Sequence, residues 1–225
     1  MATELRVGVI DSGCSPEQAG DLLDARRFWL EGGQLRDGEM HADQLGHGSA
    51  VLASLQREAG PVRLLMAQVF SAQPSTSALQ VAAALLWLVE AGATLVNLSL
   101  GLQQDRPVLH QACAEALAAG VLLCAASPAQ GGPVYPASYP GVIRVTGDAR
   151  CAPGQWSWLG TQQADFGSYV GAGGRAGASL GCAALSGRVA ALLRDEPGRD
   201  RQQVHDWLRE HAAFKGPERR GPRHA

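Results

Sequence analysis

Three short segments hold side chains that could act together on one bond. Asp11 closes the apolar run Val7-Gly8-Val9-Ile10 and is followed by Ser12-Gly13. His47 sits between Gly46 and Gly48, with Ser49 next. Ser179 stands in Gly177-Ala178-Ser179-Leu180-Gly181, behind a glycine-rich approach (Gly171, Gly173, Gly174) and ahead of a mostly apolar run over 182–193. A serine hydroxyl is a weak nucleophile until a base removes its proton, and an imidazole base works best when a third group orients it. Asp, His and Ser in that chain order supply the three roles. Each also has a blander use on its own. Asp-Ser-Gly after a strand makes a turn, a serine at a helix start can cap it, and a lone histidine is more often a surface or packed residue. Only the combination points to nucleophilic catalysis.

The elements that must position these residues follow from hydrophobic period and punctuation. Residues 5–10 read as a buried strand that ends at Asp11. Residues 18–30 are mixed, and the polar, Gly-containing stretch 31–44 reads as loop with room for a β-ribbon. A helix is expected over 47–58, stopped by Gly60-Pro61, then a strand over 62–70. Ser75 or Ser77 can cap a helix that stops at Gly92. A strand over 94–100, a helix over 106–119 and a strand over 121–126 follow. Next come a Pro- and Gly-rich loop over 127–140, a strand over 142–146 and a hairpin around Trp156, Trp158 and Phe166. The serine helix spans 179–193 and a last amphipathic helix 200–212. This alternation implies an α/β fold, a mainly parallel sheet with helices on both faces. One domain over 1–213 is expected, with a loose basic tail over 214–225 and neither an internal repeat nor a linker.

The chain has 225 residues, 46% hydrophobic and 18% charged, enough to bury a core alone. A net charge of −2 gives no general attraction to nucleic acid or anionic membrane. The five cysteines are an odd number without metal-ligand spacing, and several fall in apolar segments. They read as reduced thiols and thus as a reducing compartment. The first strand begins almost at once, without a signal peptide before it, and no apolar run is long enough to span a bilayer. The expected location is the cytoplasm, and no metal or cofactor is called for.

Together the segments resemble the subtilisin-like serine proteases. Val9-Ile10-Asp11-Ser12-Gly13 matches the family's aspartate segment, and Gly46-His47-Gly48-Ser49 its Gly-His-Gly-Thr segment with Ser for Thr. Val96-Asn97-Leu98-Ser99-Leu100-Gly101 is similar to the strand that pairs with substrate backbone. Tyr135-Pro136-Ala137-Ser138-Tyr139-Pro140-Gly141-Val142-Ile143 is similar to the Tyr-Pro-Ala stretch, and the segment around Ser179 to the nucleophile segment. The resemblance covers most of the chain, with five motifs in order. It implies Ser179 as nucleophile, His47 as base and Asp11 as its orienter. It also implies an extended peptide substrate beside Ser99, Leu100 and Gly101, with Ala125, Ala126 and Ser127 as the opposite wall.

Two departures stand out. The family supplies a side-chain amide to the oxyanion from Ala-Ala-Gly-Asn, where this chain has Ala125-Ala126-Ser127-Pro128. The N–H of Ser179 remains as one donor, and Gln130 or Ser127 are candidates for another. The proline that closes the serine motif is Ala183 here. The chain is also short, lacks the leading pro-region of secreted members, and shows no calcium-type acidic cluster, Asp37, Glu39 and Asp43 being scattered. Size and compartment point to the small proteases that trim a leader peptide, of the kind that serves quinohemoprotein amine dehydrogenase. The partners would be a leader-bearing precursor and its modifying enzyme. A pseudoprotease that binds an extended peptide without cutting it stays open as an alternative. So does an α/β-hydrolase esterase, from the Gly-x-Ser-x-Gly match, although no strand leads into Ser179.

Overall fold

The computed structural model describes residues 4–170 and 177–218. A single ten-stranded sheet runs through it, in the order β10-β8-β9-β7-β6-β5-β1-β4-β2-β3. In chain order the elements are β1 (Arg6–Asp11), α1 (Pro16–Ala19), β2 (Leu22–Glu31), β3 (Gln34–Gly38), α2 (His47–Ala59) and β4 (Arg63–Gln68). They continue with α3 (Ala78–Glu90), β5 (Leu95–Leu98), α4 (Pro107–Ala118), β6 (Leu122–Ala126) and β7 (Ile143–Gly147). The last are β8 (Trp156–Trp158), β9 (Phe166–Ser168), α5 (Ala178–Asp195), α6 (Arg201–Glu210) and β10 (Phe214–Lys215). Pairing is parallel except in the hairpins β2–β3 and β8–β9. The mainly parallel α/β architecture is as expected from the sequence.

Two apolar cores lie on the two faces of the sheet. One packs α2, α5 and α6 through Val51, Leu52, Leu55, Leu185, Val189, Val204 and Leu208. The other packs α3 and α4 through Val81, Leu85, Leu88, Leu109 and Cys113. The central strands are buried on both sides and so read as continuous apolar runs. Helix starts follow local chemistry: Ser77 with Gln80 and Asp200 with Gln203 form capping boxes, and Pro107 opens α4.

Several details differ from the sequence expectation. The mixed stretch after α1 is the long strand β2, paired to β4 on one side and to the ribbon strand β3 on the other. The sheet also continues two residues past the expected domain boundary, because Phe214–Lys215 pairs with β8 and the Gly216 N–H donates to the Trp158 carbonyl at 2.8 Å. The remainder of the expected tail, 219–225, and the approach glycines Gly171, Gly173 and Gly174 lie outside the described residues.

Candidate active site

Strand order brings the chemistry to one end of the sheet. β1 lies between β4 and β5, with Ile10 opposite Leu98 and Asp11 opposite Gln68. Asp11 and Ser99 therefore emerge side by side at the carboxyl ends of adjacent strands, where parallel sheets gather functional groups. Helix α2 begins at His47 itself, directly above Asp11. Helix α5 begins at Ala178 with Gly177 as its N-cap, so Ser179 lies inside the first turn and does not cap the helix. Gly181 lets this turn close on β7: a Cβ there would lie 2.6 Å from the Thr146 carbonyl oxygen.

Asp11 is fully buried, and its Oδ1 lies 2.7 Å from His47 Nδ1. The same oxygen accepts the Ser12 N–H at 2.7 Å. A carboxylate opposite Nδ1 assigns the proton to Nδ1 and makes Nε2 the basic nitrogen. The His47 side chain is 43% exposed toward the cleft. Ser179 joins Asp11 and His47 in lining a cleft of ≈ 940 Å³, bordered also by Leu45, Phe70 and Ser99. The Ser179 hydroxyl donates to the Ser99 carbonyl at 3.0 Å. Since it carries one proton, it must rotate off that carbonyl before His47 can take the proton.

The backbone around the Asp11–His47 pair is tied by residues that sequence reasoning passed over. Asp43 accepts from the N–H groups of Leu45 (3.0 Å), Gly46 (2.8 Å) and Ser49 (2.8 Å), and from the hydroxyls of Ser49 (2.7 Å) and Ser12 (2.8 Å). Burial alone would raise this carboxyl, but the hydrogen bonds from Ser49, Ser12 and Gly46 outweigh it and hold Asp43 below the usual carboxylate value. The Ser12 hydroxyl in turn receives the Gly48 N–H at 2.9 Å. Gly48 sits so close to Gly13 that a Cβ would collide with the Gly13 carbonyl. Gln68, 2% exposed, donates to the Ser12 and His41 carbonyls at 2.8 and 3.0 Å. The available signal was an Asp four residues ahead of the glycine-flanked helix start at His47, within reach of the free N–H groups there.

Past the end of β5 a stretch of backbone leaves the sheet ladder beside the cleft. β5 leaves the ladder after Leu98, and pairing resumes only at Leu102, which exchanges bonds with Tyr135 at 2.7 and 2.8 Å. Ser99, Leu100 and Gly101 border the cleft between these points. Ala125 and Ala126 are buried in β6, and Ser127 follows them at 3% exposure. Of the oxyanion candidates, Ser127 donates its hydroxyl to the Gln163 carbonyl at 2.7 Å. Gln130 is exposed on the loop beyond, and neither residue lines the cleft. What remains is the N–H of Ser179, one of the first-turn groups without an intrahelical acceptor.

All five cysteines are free and buried. Burial pushes the Cys113 and Cys124 thiols up to about 12 and Cys151 to about 11, and raises Cys14 and Cys182 as well. No helix among the described residues is long and apolar enough to cross a membrane.

No family model matches the chain. It is 29% identical over 160 residues to an intracellular serine protease of Paenibacillus polymyxa, a match that covers 63% of this chain and 48% of that protein. It is 30% identical over 151 residues to alkaline elastase YaB of Bacillus sp. (strain YaB), covering 64% and 39%. The chain thus spans about half the length, or less, of these curated relatives. Among solved structures it superposes on a cold-adapted subtilisin-like serine proteinase with a TM-score of 0.69 at 19% identity, covering 92% of this chain and 81% of that one. A lanthipeptide protease gives 0.68 at 16% identity, covering 93% and 80%. The prenylagaramide maturation protease PagA gives 0.62 at 24% identity, covering 91% and 81%. The fold is the subtilisin-like α/β fold, and the sequence is similar to serine proteases.

Proposed function

We propose that this chain is a serine endopeptidase in which Ser179 attacks the peptide carbonyl, His47 takes and returns the proton, and Asp11 holds His47. The observation that carries the reading is the 2.7 Å contact between buried Asp11 and His47 Nδ1, beside a cleft that Ser179 also lines. An extended peptide adds to the open stretch Ser99, Leu100 and Gly101, where backbone hydrogen bonds hold it in line for attack. Ser179 rotates off the Ser99 carbonyl, gives its proton to Nε2 and forms the tetrahedral intermediate. The imidazolium is stabilised by Asp11 and then protonates the leaving amine.

The oxyanion receives the Ser179 N–H at the start of α5, where the helix dipole adds to the stabilisation. Pro128 supplies no side-chain donor beside it. A missing donor costs about 2.7–4 kcal/mol, or roughly 10²–10³ in turnover, a magnitude that comes from subtilisin itself. The remaining triad and binding effects exceed that, so a slow enzyme results. The described chain acts as one catalytic unit, since a single sheet runs through it.

The substrate we assign is a leader-bearing precursor peptide, met in the cytoplasm together with its modifying enzyme. Support comes from the unpaired thiols and the similarity to a lanthipeptide protease and to PagA. The test is digestion of a peptide library, and of candidate precursors, read by mass spectrometry. New termini in the native digest that vanish with Ser179→Ala support an endopeptidase. Cleavage of library peptides at many sites, with none preferred in the precursors, would remove the leader-specific assignment.

A further inference from the structure

A buried line of polar groups joins the nucleophile helix to the strand beside it. Ser186 Oγ donates to Asn97 Oδ1 at 3.0 Å, and Asn97 Nδ2 donates to Ser99 Oγ at 2.9 Å. Ser99 Oγ donates to the Ser179 carbonyl at 3.0 Å, and Ser179 Oγ donates back to the Ser99 carbonyl at 3.0 Å. Ser186 and Asn97 are fully buried, and Ser99 is 3% exposed. An amide and two hydroxyls in such a place are costly unless each is hydrogen-bonded. They form an unbroken run from two helical turns inside α5 back to the reacting residue.

The run has one direction. The Ser179 carbonyl can only accept, so the single Ser99 proton must point to it. Ser99 Oγ must then accept from Asn97, which turns the amide so that Nδ2 faces Ser99 and Oδ1 faces Ser186. That orientation holds only while Ser186 donates. The thiols of Cys124 and Cys182 also border the Ser186 hydroxyl, and as protonated groups they can donate to its oxygen. Without the Ser186 hydroxyl the amide can flip and present Oδ1 to Ser99. The Ser99 proton would then leave the Ser179 carbonyl.

We propose that Ser186, Asn97 and Ser99 are positioning residues for Ser179, a directed hydrogen-bond chain that fixes the nucleophile against the strand edge where peptide binds. The inference rests on the serine endopeptidase reading. Ser186 touches neither substrate nor reacting atoms; it acts through Asn97 and Ser99. Misplacement of a reacting group by about 1 Å can cost about 10²-fold in rate, and a loosened first turn falls short of that.

The test compares Ser186→Ala, Ser99→Ala and the double variant in fluorophosphonate labelling rate and in kcat and KM on a cleaved peptide. Circular dichroism confirms that each is folded. Ser186→Ala should label and turn over about tenfold more slowly with KM unchanged, since the geometry lost is that of the attacking group. The double variant should be no slower than Ser99→Ala, because Ser186 works only through Ser99. If Ser186→Ala does not fold, Ser186→Cys, which keeps a weak donor, should show a smaller loss of the same kind. A folded Ser186 variant with native rates, or losses that multiply in the double variant, overturns the chain. A native protein that neither labels nor cleaves removes the endopeptidase reading instead, and the inference with it.

Discussion

Around Asp11 and His47 the backbone is tied at many points, whereas the stretch after β6 stands outside the lining of the cleft and adds no side chain to it. On the first side Asp43, Ser12 and Gln68 hold three loops together, and Gly13 meets Gly48 at a distance that excludes a side chain. On the second, Ser127 turns its hydroxyl to Gln163, Pro128 has no N–H, and Gln130 is exposed. The contrast separates two tasks of the proposed reaction. Proton transfer depends on a pair of side chains held within hydrogen-bond distance, and the fold over-determines that pair. In the proposed reaction the oxyanion rests on the Ser179 N–H at a helix start, and the described stretch after β6 adds no side-chain amide to the cleft.

The largest test of the first side is Asp11→Asn. The amide places a donor opposite Nδ1 and favours the wrong imidazole tautomer, so turnover should fall by about 10⁴-fold while the fold persists. A loss below about tenfold would mean that the 2.7 Å contact does no orienting. The second side should respond in the opposite sense. Pro128→Asn returns an amide at the position where the resembled family carries one and should raise kcat by about tenfold, a part of the 10²–10³ such a donor can give. Gln130→Ala should leave kcat unchanged. A large loss with Gln130→Ala would show that the wall has a side-chain donor after all.

Asp43 gives a smaller, pH-dependent effect. Its carboxyl lies below the ordinary value, near 3.9, when the chain is folded. A depressed folded pKa adds stability that is fully present above the unfolded value and is lost as pH falls through the folded one. The gap in Tm between the native chain and Asp43→Asn should therefore be constant above about pH 5 and close in acid. A gap that stays constant through the acid range would mean that the carboxylate charge contributes nothing. The smallest effect is expected at the thiols. Burial keeps all five protonated at neutral pH, so iodoacetamide should leave the folded chain unmodified and active, and should label it fully in denaturant.

How much was legible in the sequence follows the same division. Asp11, His47 and Ser179 could be read because each sits in a short local pattern at a strand end or helix start. The alternation of strands and helices came from hydrophobic period for the same reason. Ser186 and Asn97 could not be read, since they lie 89 positions apart and meet only once α5 packs on β5. Asp43 was visible as a residue but was grouped with Asp37 and Glu39, because nothing in a linear pattern shows five donors converging on it. β2 escaped because its alternation is broken by Arg26 and Arg27, which reach outward to Asp37 and His41. The missing oxyanion amide was legible as Pro128. The engagement of Ser127 by Gln163 was not, because the two come from separate loops.

The most direct measurement is fluorophosphonate labelling of the native chain beside Ser179→Ala and His47→Ala. A serine activated by His47 should label in the native chain and in neither variant, with the modified peptide carrying Ser179. A folded native chain that does not label, or labelling that survives Ser179→Ala, would contradict the account.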